Sequence, residues 1–362
     1  MFNSSEIIHY KDWLKYNGPL LISGPCGAES EEQVIETAKQ ISEIPDIKLF
    51  RAGIWKPRTR PNSFEGVGEK GLEWLKNARK ETGLKTTVEV ANAGHVEKAL
   101  KHQVDVLWIG ARTTVNPFSV QEIAESLKGV DIPVMIKNPV HPDLQLWIGA
   151  VERMLQSGIN KIVAIHRGFY NPRQSYFRND PYWEIAIELR THIPSLPLIT
   201  DPSHICGNRE NIFSTSQKAI DLGMDGLMIE SHVNPDKALS DANQQLKPEA
   251  LKILLKKIVF RKSTSENKEF RDTLFDLRQI IDEIDEEMIL LLKKRSDITE
   301  RIGVFKKEHD ITIFQLQRWM EILKTRSASG IKKGFQKEFI EKWCQLLHEE
   351  SIRKQQEVMN KN

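Results

Sequence analysis

The sequence predicts two domains: a (β/α)8 TIM barrel over residues 1–260 and an all-α, three-helix domain over residues 269–362, joined by a linker at 261–268. From residue 20, short apolar runs rich in β-branched residues alternate with longer amphipathic ones, a pattern typical of parallel strands joined by crossover helices. About eight such units in roughly 240 residues favour a barrel over an open sheet. After residue 268 the strand signals stop, and apolar residues recur only at helical spacing.

Eight short apolar runs are the candidate strands, and a helical pattern follows each one. The strands are predicted at 20–23, 47–51, 86–90, 106–109, 133–136, 162–165, 198–200 and 226–229. The helices are predicted at 31–42, 69–81, 95–102, 120–127, 144–156, 183–191, 209–222 and 247–257. A doubly wound sheet would show about six strands and a GxGxxG turn after the first of them, and this sequence has no such turn there.

The C-terminal segment predicts one long helix and two shorter ones. Residues 270–307 carry apolar residues at helical spacing, with no Gly or Pro before Gly303. Two further helices are predicted at 314–325 and 335–359, separated by the small residues at 327–330. A helix of this length cannot bury its apolar stripe against two shorter neighbours in one small domain. We therefore expect a homodimer through these helices.

Composition argues against several classes of partner. The chain has 52 basic and 50 acidic residues, so no overall field attracts nucleic acid or a membrane surface. Its three cysteines, Cys26, Cys206 and Cys344, lie far apart without CxxC spacing, which indicates a reducing compartment. The N-terminus has no apolar core of signal-peptide length, and no apolar run is long enough for a membrane span, so we expect a cytoplasmic protein.

Polar groups are predicted at the carboxyl ends of all eight strands, where a barrel of this type builds its active site. A single His or Arg there would mean little, but a complete ring is hard to explain as solvated surface. The ring consists of Cys26; Arg51, Lys56, Arg58 and Thr59; Glu89; Arg112; Lys137; His166 and Arg167; Asp201, Ser203 and His204; and Glu230, with Asp241 in the loop that follows.

Four of these residues form a candidate metal site. Cys26, His204, Glu230 and Asp241 supply one thiol, one imidazole and two carboxylates, a mixed set that suits Mn²⁺, Fe²⁺, Co²⁺ or Zn²⁺ and not Mg²⁺. Each residue alone also fits a plainer role: a lone cysteine is often a small buried hydrophobe, and His204 could simply bond Glu230 at the barrel rim. Their combination favours one divalent metal ion.

Five cations at the strand ends form a second set. Converging ammonium and guanidinium groups on rigid strand ends suit a phosphate or carboxylate substrate. These cations are Arg51, Lys56, Arg112, Lys137 and Arg167. The Pro-rich stretch 56–59 could clamp a second anion, so the site suits condensation of two phosphorylated small molecules. Lys137 is the candidate for proton transfer, because an ammonium among other cations can have a lowered pKa.

Motifs at successive strand ends resemble those of 3-deoxy-D-arabino-heptulosonate-7-phosphate (DAHP) synthases, in particular the short-barrel subgroup related to 3-deoxy-octulosonate-8-phosphate synthase. The motifs are Gly24-Pro25-Cys26, Phe50-Arg51, Lys56-Pro57-Arg58-Thr59, Ile109-Gly110-Ala111-Arg112, His166-Arg167-Gly168, Asp201-Pro202-Ser203-His204, Glu230 and Leu239-Ser240-Asp241. The resemblance covers about residues 18–258. It implies condensation of phosphoenolpyruvate with erythrose 4-phosphate, the entry step of the shikimate pathway.

The resemblance also implies residue roles. Cys26, His204, Glu230 and Asp241 would hold the metal; Arg51, Lys56, Glu89, Arg112, Lys137 and Arg167 would bind phosphoenolpyruvate; Arg58 and Thr59 would bind erythrose 4-phosphate; and Lys137, Cys26 and Asp201 would be catalytic. Two departures concern Arg60, where Ser is usual, and Asn138-Pro139, where Arg-Gly is common. The sibling synthase that uses arabinose 5-phosphate remains the alternative, although its sequence usually differs at residues 56–59.

Cations recur on the C-terminal helices. Arg278, Arg295 and Lys306 are separated by 17 and 11 residues, close to whole helical turns, so we expect one shared face suited to a dianion. Arg318 lies on the next helix, and Ser351 and Gln355 lie one turn apart on the last. The alternative is that these residues are solvated faces of a non-catalytic dimerisation or regulatory module.

Residues 270–358 resemble the all-helical chorismate mutases, which are intertwined dimers. The resemblance implies rearrangement of chorismate to prephenate without a metal. The implied binding residues are Arg278, Arg295, Lys306, Arg318, Gln315, Ser351 and Gln355. Gln315 and Trp319 stand where many members have Asp and Glu, so the contact to the substrate hydroxyl differs. A further hypothesis is that prephenate or chorismate bound here inhibits the synthase.

Overall fold

The structure is a computed structural model that describes residues 6–57, 63–172, 175–262 and 264–361. It divides the chain into two compact units, Met1–Ser263 and Thr264–Asn362. None of the helices described combines the length and the apolar character that crossing a bilayer requires.

In the described part of the first unit, eight parallel strands close into a barrel, each pairing with the next along the chain and the last with the first. The strands are β1 Leu20–Gly24, β2 Ile47–Arg51, β3 Lys85–Val90, β4 Val106–Ile109, β5 Val134–Lys137, β6 Ile162–His166, β7 Leu198–Thr200 and β8 Gly226–Glu230. The predicted (β/α)8 barrel is confirmed.

Helices surround the barrel and cover its outer face. They are α1 Tyr10–Leu14, α2 Glu31–Ser42, α3 Lys70–Thr82, α4 Ala93–Lys101, α5 Ala111–Thr114, α6 Pro117–Ser126, α7 Leu144–Gln156, α8 Trp183–His192, α9 Pro202–Cys206, α10 Ile212–Asp221 and α11 Pro248–Lys257. Three short helices, α1, α5 and α9, were not predicted. Two of them matter for the site, because α5 carries Arg112 and α9 carries His204.

The barrel interior is packed at its N-terminal end. Inward-facing side chains such as Leu20 and Ile22 form one apolar cluster, and Tyr10 of α1 belongs to the same cluster. The Tyr10 hydroxyl donates to the carbonyl of Gly18 at 2.9 Å, which holds α1 against this end. Because α1 closes the N-terminal end, the open end for chemistry is the carboxyl end of the strands.

The carboxyl ends of β1 and β2 approach each other closely at Gly24. Its φ is +147°, and a Cβ atom there would lie 1.9 Å from the carbonyl oxygen of Arg51. Only glycine fits this position. The approach carries the loop with Cys26 beside the loop that follows β2, where Ala28 N donates to Gly53 O at 2.9 Å.

The second unit consists of three helices, α12 Lys268–Glu308, α13 Leu316–Lys332 and α14 Lys337–Asn360, which confirms the all-α prediction. Helix α14 packs on both other helices. The predicted break at 327–330 is wrong, because α13 runs through these residues. Ser327 and Gly330 are buried there, and a Cβ on Gly330 would lie 2.4 Å from Cγ1 of Ile340. The small residues allow close helix packing and do not end the helix.

Candidate active sites

Three of the four predicted metal ligands converge at the carboxyl end of the barrel. Cys26, Glu230 and Asp241 each offer a ligand atom, all within 4.8 Å of one another. The Cys26 thiol donates to Asp241 Oδ2 at 3.1 Å. His204 lies at the edge of this cluster, with Nε2 3.8 Å from Glu230 Oε1. The structure therefore brings the predicted set together, with His204 slightly farther out than the others.

The donor set fits a divalent transition ion. Glu230 is fully buried, and its Oε1 lies 3.2 Å from Arg51 Nη2 but accepts no hydrogen bond from any residue that the structure describes. The guanidinium offsets the charge of this carboxylate, and the oxygen keeps lone pairs that a further group can use. His204 Nδ1 lies 2.8 Å from Asp201 Oδ2, so an anion holds one ring nitrogen while the other faces Glu230. This carboxylate–imidazole arrangement is common behind metal-binding histidines.

Ionisation in the cluster follows from burial and from nearby charges. Burial, reinforced by the Glu230 carboxylate, raises the pKa of the Cys26 thiol to about 12. Burial also lowers the pKa of His204, which favours the neutral imidazole that a metal requires. Burial opposes ionisation of Asp241, but neighbouring cations, above all the Arg178 guanidinium, outweigh it and keep the pKa below its usual value. A bound cation would stabilise the thiolate that burial disfavours.

Residues that were not predicted hold the ligands in place. Gln244 Nε2 donates to Glu230 Oε2 at 2.7 Å, and Arg178 Nη1 donates to Asp241 Oδ1 at 3.0 Å. Gln245 Oε1 accepts from the Cys26 backbone N at 2.8 Å. Both glutamines are buried. The only sequence signal for them is the Gln-Gln pair shortly after Asp241 in the loop that follows β8, and Arg178 has no comparable signal.

Two buried ion pairs involve the predicted phosphoenolpyruvate-binding residues. Lys137 Nζ lies 2.8 Å from Asp201 Oδ2, and Arg51 Nη2 lies 3.2 Å from Glu230 Oε1. The Arg51 guanidinium also lies over the Trp108 ring, 5.0 Å from its centroid. Trp108 Nε1 in turn donates to Glu89 Oε2 at 3.0 Å. Glu89 and Arg51 are thus joined through one indole at the carboxyl end of the strands.

Arg167 is held by two asparagines. Its Nη1 donates to Asn179 Oδ1 at 2.8 Å, and its backbone N donates to Asn138 Oδ1 at 2.7 Å. Burial lowers the pKa of Arg167 to about 10, and Arg178 and Arg112 act in the same direction. These cations therefore share one electrostatic environment. The Asn138 departure has a clear structural use, since this side chain joins the ends of β5 and β6.

The structure places the remaining residues predicted at strand ends in different surroundings. Lys56 Nζ donates to Cys26 Sγ at 2.9 Å and to Cys26 O at 2.7 Å, so it lies against the proposed metal ligand. His166 packs edge-on against Trp183, and burial lowers its pKa to about 4, which indicates a packing role. Arg58 and Thr59, together with Arg60, lie outside the described residues.

A second cluster lies between α12 and α14. Arg295 Nη1 donates to Ser351 Oγ at 2.7 Å and to Leu347 O at 3.2 Å. Gln355 is buried one turn further along α14, and its Oε1 accepts no hydrogen bond within the described part of the chain. Lys306 Nζ donates to Ile313 O at 2.5 Å. Burial lowers the pKa of both Arg295 and Lys306.

Arg278 does not join this cluster within one chain. It precedes Arg295 by 17 residues on the same helix, which is about 26 Å along the axis and about 4.7 turns. The predicted shared face is therefore wrong for Arg278, which points about 100° away from Arg295. It holds for Lys306, about 3.1 turns beyond Arg295.

Helix α13 contributes weaker candidates. Arg318 pairs with Glu321 at 2.7 Å on the surface, and Gln315 is the exposed residue that precedes the helix. Trp319 stacks on His348 of α14 with ring centroids 4.2 Å apart. An aromatic pair thus occupies the position where the resemblance to chorismate mutases led us to expect a carboxylate.

The barrel and its polar end define an enzyme for small anionic substrates, with residues suited to a transition metal beside converging cations. The DAHP synthetase I family model matches residues 15–265, and the chorismate mutase type II model matches residues 277–356. The chain belongs to the DAHP synthetase I family and carries a chorismate mutase type II domain fused behind the barrel.

Two curated proteins, which carry different enzyme names, and one solved structure are similar to the barrel part of this chain. The phospho-2-dehydro-3-deoxyheptonate aldolase of Thermotoga maritima is 33% identical over 238 residues, covering 66% of this chain and 68% of that protein. A 2-dehydro-3-deoxyphosphooctonate aldolase of Wolinella succinogenes is 28% identical over 262 residues, covering 66% and 98%. The crystal structure of the Thermotoga maritima DAHP synthase matches with a TM-score of 0.59 and 31% identity, covering 70% of this chain and 69% of that one.

These family memberships confirm both predicted activities. The barrel condenses phosphoenolpyruvate with erythrose 4-phosphate to DAHP, the first step of the shikimate pathway, and the helical domain rearranges chorismate to prephenate. The synthase family is metal-dependent.

Proposed function

We propose that Cys26, His204, Glu230 and Asp241 hold the metal ion of the synthase, which is Mn²⁺, Fe²⁺, Co²⁺ or Zn²⁺. The observation that carries this proposal is the convergence of a thiol, an imidazole and two carboxylates. They surround a buried Glu230 oxygen that lies beside the Arg51 guanidinium but accepts no hydrogen bond from the described residues. When bound, such an ion supplies Lewis-acid activation of the aldehyde of erythrose 4-phosphate.

The cations beside this set orient phosphoenolpyruvate. Arg167 and Arg112 bind its phosphate and carboxylate together with Lys137, while Arg51, Lys56 and Glu89 line the same pocket. Arg51 and Lys137 are already fixed by buried ion pairs, so they lose little freedom on binding. The asparagines that hold Arg167 serve the same purpose.

The condensation forms one C–C bond and one C–O bond, the latter from water to C2, and breaks the C–O bond between C2 and the phosphate. C3 of phosphoenolpyruvate attacks the aldehyde carbon, water adds at C2, and phosphate leaves. Lys137 donates a proton to the aldehyde oxygen as negative charge develops on it. The water that adds at C2 then gives a proton back to Lys137. The Asp201 carboxylate orients the Lys137 ammonium, with Nζ 2.8 Å from Oδ2. The same oxygen lies 2.8 Å from His204 Nδ1. Asp201 keeps its charge because His204 and Lys137 lower its pKa against the effect of burial.

Erythrose 4-phosphate is the expected aldose substrate, with Arg58 and Thr59 binding its phosphate. Purified full-length protein should be assayed with phosphoenolpyruvate and either erythrose 4-phosphate or arabinose 5-phosphate. We expect kcat/KM for erythrose 4-phosphate to be higher by about 10²-fold or more, because the longer sugar cannot place its aldehyde and its phosphate together. Turnover with arabinose 5-phosphate alone would instead assign the barrel to the sibling synthase.

In the helical domain, Arg295 and Ser351 bind one carboxylate of chorismate, while Lys306 and Gln355 stabilise charge that develops on the breaking ether oxygen. The contact between Arg295 and Ser351 supports this arrangement. Arg318 and Gln315 border the site. Arg278 lies too far along α12 to act in the same chain, so a second chain supplies it. Inhibition of the synthase by prephenate or chorismate stays a prediction.

We further propose a homodimer through the helical domain, in the cytoplasm. Among the described residues of α12 only Thr299 and Gly303 are buried, while apolar side chains along its length stay about half exposed. These include Leu277, Ile281, Ile284, Met288 and Leu291. An apolar stripe of this length needs a partner. All three cysteines are free, which suits a reducing compartment.

Leu291→Lys tests the dimer. Leu291 is 62% exposed in the single chain, and a charge there would have to be buried in the dimer interface. We expect light scattering after size exclusion to show a monomer, and mutase activity to be lost because Arg278 no longer reaches the other chain's Arg295. Glu286→Lys places the same charge on the opposite side of the helix and should leave the dimer intact. A monomeric native protein with full mutase activity would contradict the proposal.

A further inference from the structure

In the two carboxylates of the proposed metal set, Asp241 and Glu230, the two oxygens have different partners. Asp241 Oδ1 accepts from Arg178 Nη1 at 3.0 Å, while Oδ2 accepts from the Cys26 thiol at 3.1 Å. Glu230 Oε2 accepts from Gln244 Nε2 at 2.7 Å, while Oε1 lies 3.2 Å from Arg51 Nη2 and 3.8 Å from His204 Nε2. In each carboxylate, one oxygen accepts a hydrogen bond from a residue outside the cluster. The other oxygen faces another proposed ligand, and for Glu230 it also pairs with Arg51.

Arg178 controls both of these orientations. Its Nη1 donates to Gln244 Oε1 at 2.6 Å as well as to Asp241. The guanidinium contact fixes which way the Gln244 amide points, because a flipped amide would turn its NH₂ group toward the cation and its oxygen toward the Glu230 carboxylate. Arg178 therefore orients Asp241 directly and Glu230 through Gln244.

Arg178 comes from a different part of the barrel and is itself anchored. It lies in the loop between β6 and α8, whereas Glu230, Asp241 and Gln244 belong to β8 and the loop after it. The neighbouring Asn179 donates from its backbone N to Ile205 O at 3.1 Å and from Nδ2 to His204 O at 2.7 Å. The backbone that carries Arg178 is thus tied to α9, the helix that carries His204.

An ordinary surface ion pair does not account for this arrangement. A surface pair contributes little and tolerates exchange of Arg for Lys. The Arg178 side chain is 45% exposed, but its Nη1 bonds two acceptors at once, and one of them belongs to Gln244, which is 1% exposed. Lysine is one bond shorter than arginine and its ammonium has no fixed plane, so its nitrogen does not reach the position of Nη1 with the same directions.

We propose that Arg178 is a positioning residue of the synthase, which sets Asp241 and Glu230 so that each presents one oxygen to the metal. The proposal rests on the metal set proposed above. It predicts that loss of Arg178 weakens metal binding without weakening the capture of phosphoenolpyruvate, because the cations assigned to that substrate keep their own partners.

The test titrates metal-free full-length protein with Co²⁺ and follows the thiolate-to-cobalt charge-transfer absorption. Arg178→Lys is expected to weaken Co²⁺ binding by about 10-fold or more and to alter the band, as loss of an outer partner typically does. Gln244→Met, which releases only Glu230, should weaken it less. At saturating metal, KM for phosphoenolpyruvate should stay within about twofold for Arg178→Lys, since only metal affinity is changed.

Arg190→Lys is the matched control. Arg190 pairs with Asp225, at the opposite end of β8 from Glu230, so its replacement tests general loosening of the barrel. We expect it to bind Co²⁺ as the native protein does. If Arg178→Lys binds Co²⁺ with unchanged affinity and an unchanged band, the role of Arg178 is overturned. A raised KM for phosphoenolpyruvate with unchanged metal affinity would also overturn it. Neither result would count against the metal set itself. Native protein that gives no thiolate–cobalt band would overturn the metal set as well.

Discussion

Cys26→Ala is expected to lower kcat/KM of the condensation by about 10³-fold, since Lewis-acid activation supplies several kcal/mol of transition-state stabilisation. The substitution removes the sulfur ligand from the proposed metal set and leaves the barrel packing almost unchanged. Steady-state assays in saturating Mn²⁺, combined with elemental analysis of the purified protein, provide the measurement. Chorismate turnover by the same sample should equal that of the native protein.

Cys206→Ala is the control for this substitution. Cys206 is also buried near the carboxyl end of the barrel, but its thiol donates to Thr215 Oγ1 at 3.1 Å and it lies outside the metal set. We expect its synthase activity to stay within about threefold of native, because loss of a small buried group costs stability and not chemistry. A Cys26→Ala protein that keeps both its metal and its activity would remove Cys26 from the site.

Lys306→Ala is expected to lower kcat/KM for chorismate by about 10²- to 10³-fold, the usual cost of losing one donor to a developing negative charge. Synthase activity should be unchanged. The measurement is the loss of chorismate absorbance with full-length protein, because the proposed mutase site also uses a residue of a second chain. Lys307→Ala is the adjacent control, since the Lys307 ammonium bonds only to the carbonyl of Lys361 among the described contacts.

Unchanged chorismate turnover in Lys306→Ala would contradict the catalytic assignment of Lys306. The mutase site would then have to be built from other residues of the helical domain.

The barrel could be predicted because its strands are buried on both faces. Such strands are continuous apolar runs, so even the three-residue β7 stands out between its neighbours. Glu230 and Lys137 were found because they are the last residues of β8 and β5, and Cys26 because a Gly-Pro turn follows β1. Position along a strand determines which end of the barrel a residue occupies, and that position can be predicted from the sequence.

The residues that hold the ligands could not be predicted in this way. Arg178 and Gln245 lie in irregular loops, where side-chain direction depends on tertiary contacts and not on a repeating period. Arg178 meets Asp241, which is 63 residues away in sequence. Nothing in the local composition distinguishes it from a solvated arginine.

In the helical domain, prediction from the sequence failed for a different reason. Ser327 and Gly330 suggested a break because small residues often end helices, yet here they permit close packing between α13 and α14. Arg278 was placed on the wrong face because 17 residues approximate whole turns only loosely, and the error grows with separation. A dimeric site also draws on a second chain, whose arrangement one sequence does not specify.

The most direct test is a paired assay of both reactions on one preparation of full-length protein, with and without a chelator. In the proposed arrangement, the barrel site depends on a metal held by Cys26, His204, Glu230 and Asp241, whereas the helical site uses only side chains, contributed by two chains. We therefore expect the chelator to abolish DAHP formation, added Mn²⁺ or Co²⁺ to restore it, and prephenate formation to be unchanged throughout. DAHP formation that resists the chelator, or prephenate formation lost with it, would contradict this account.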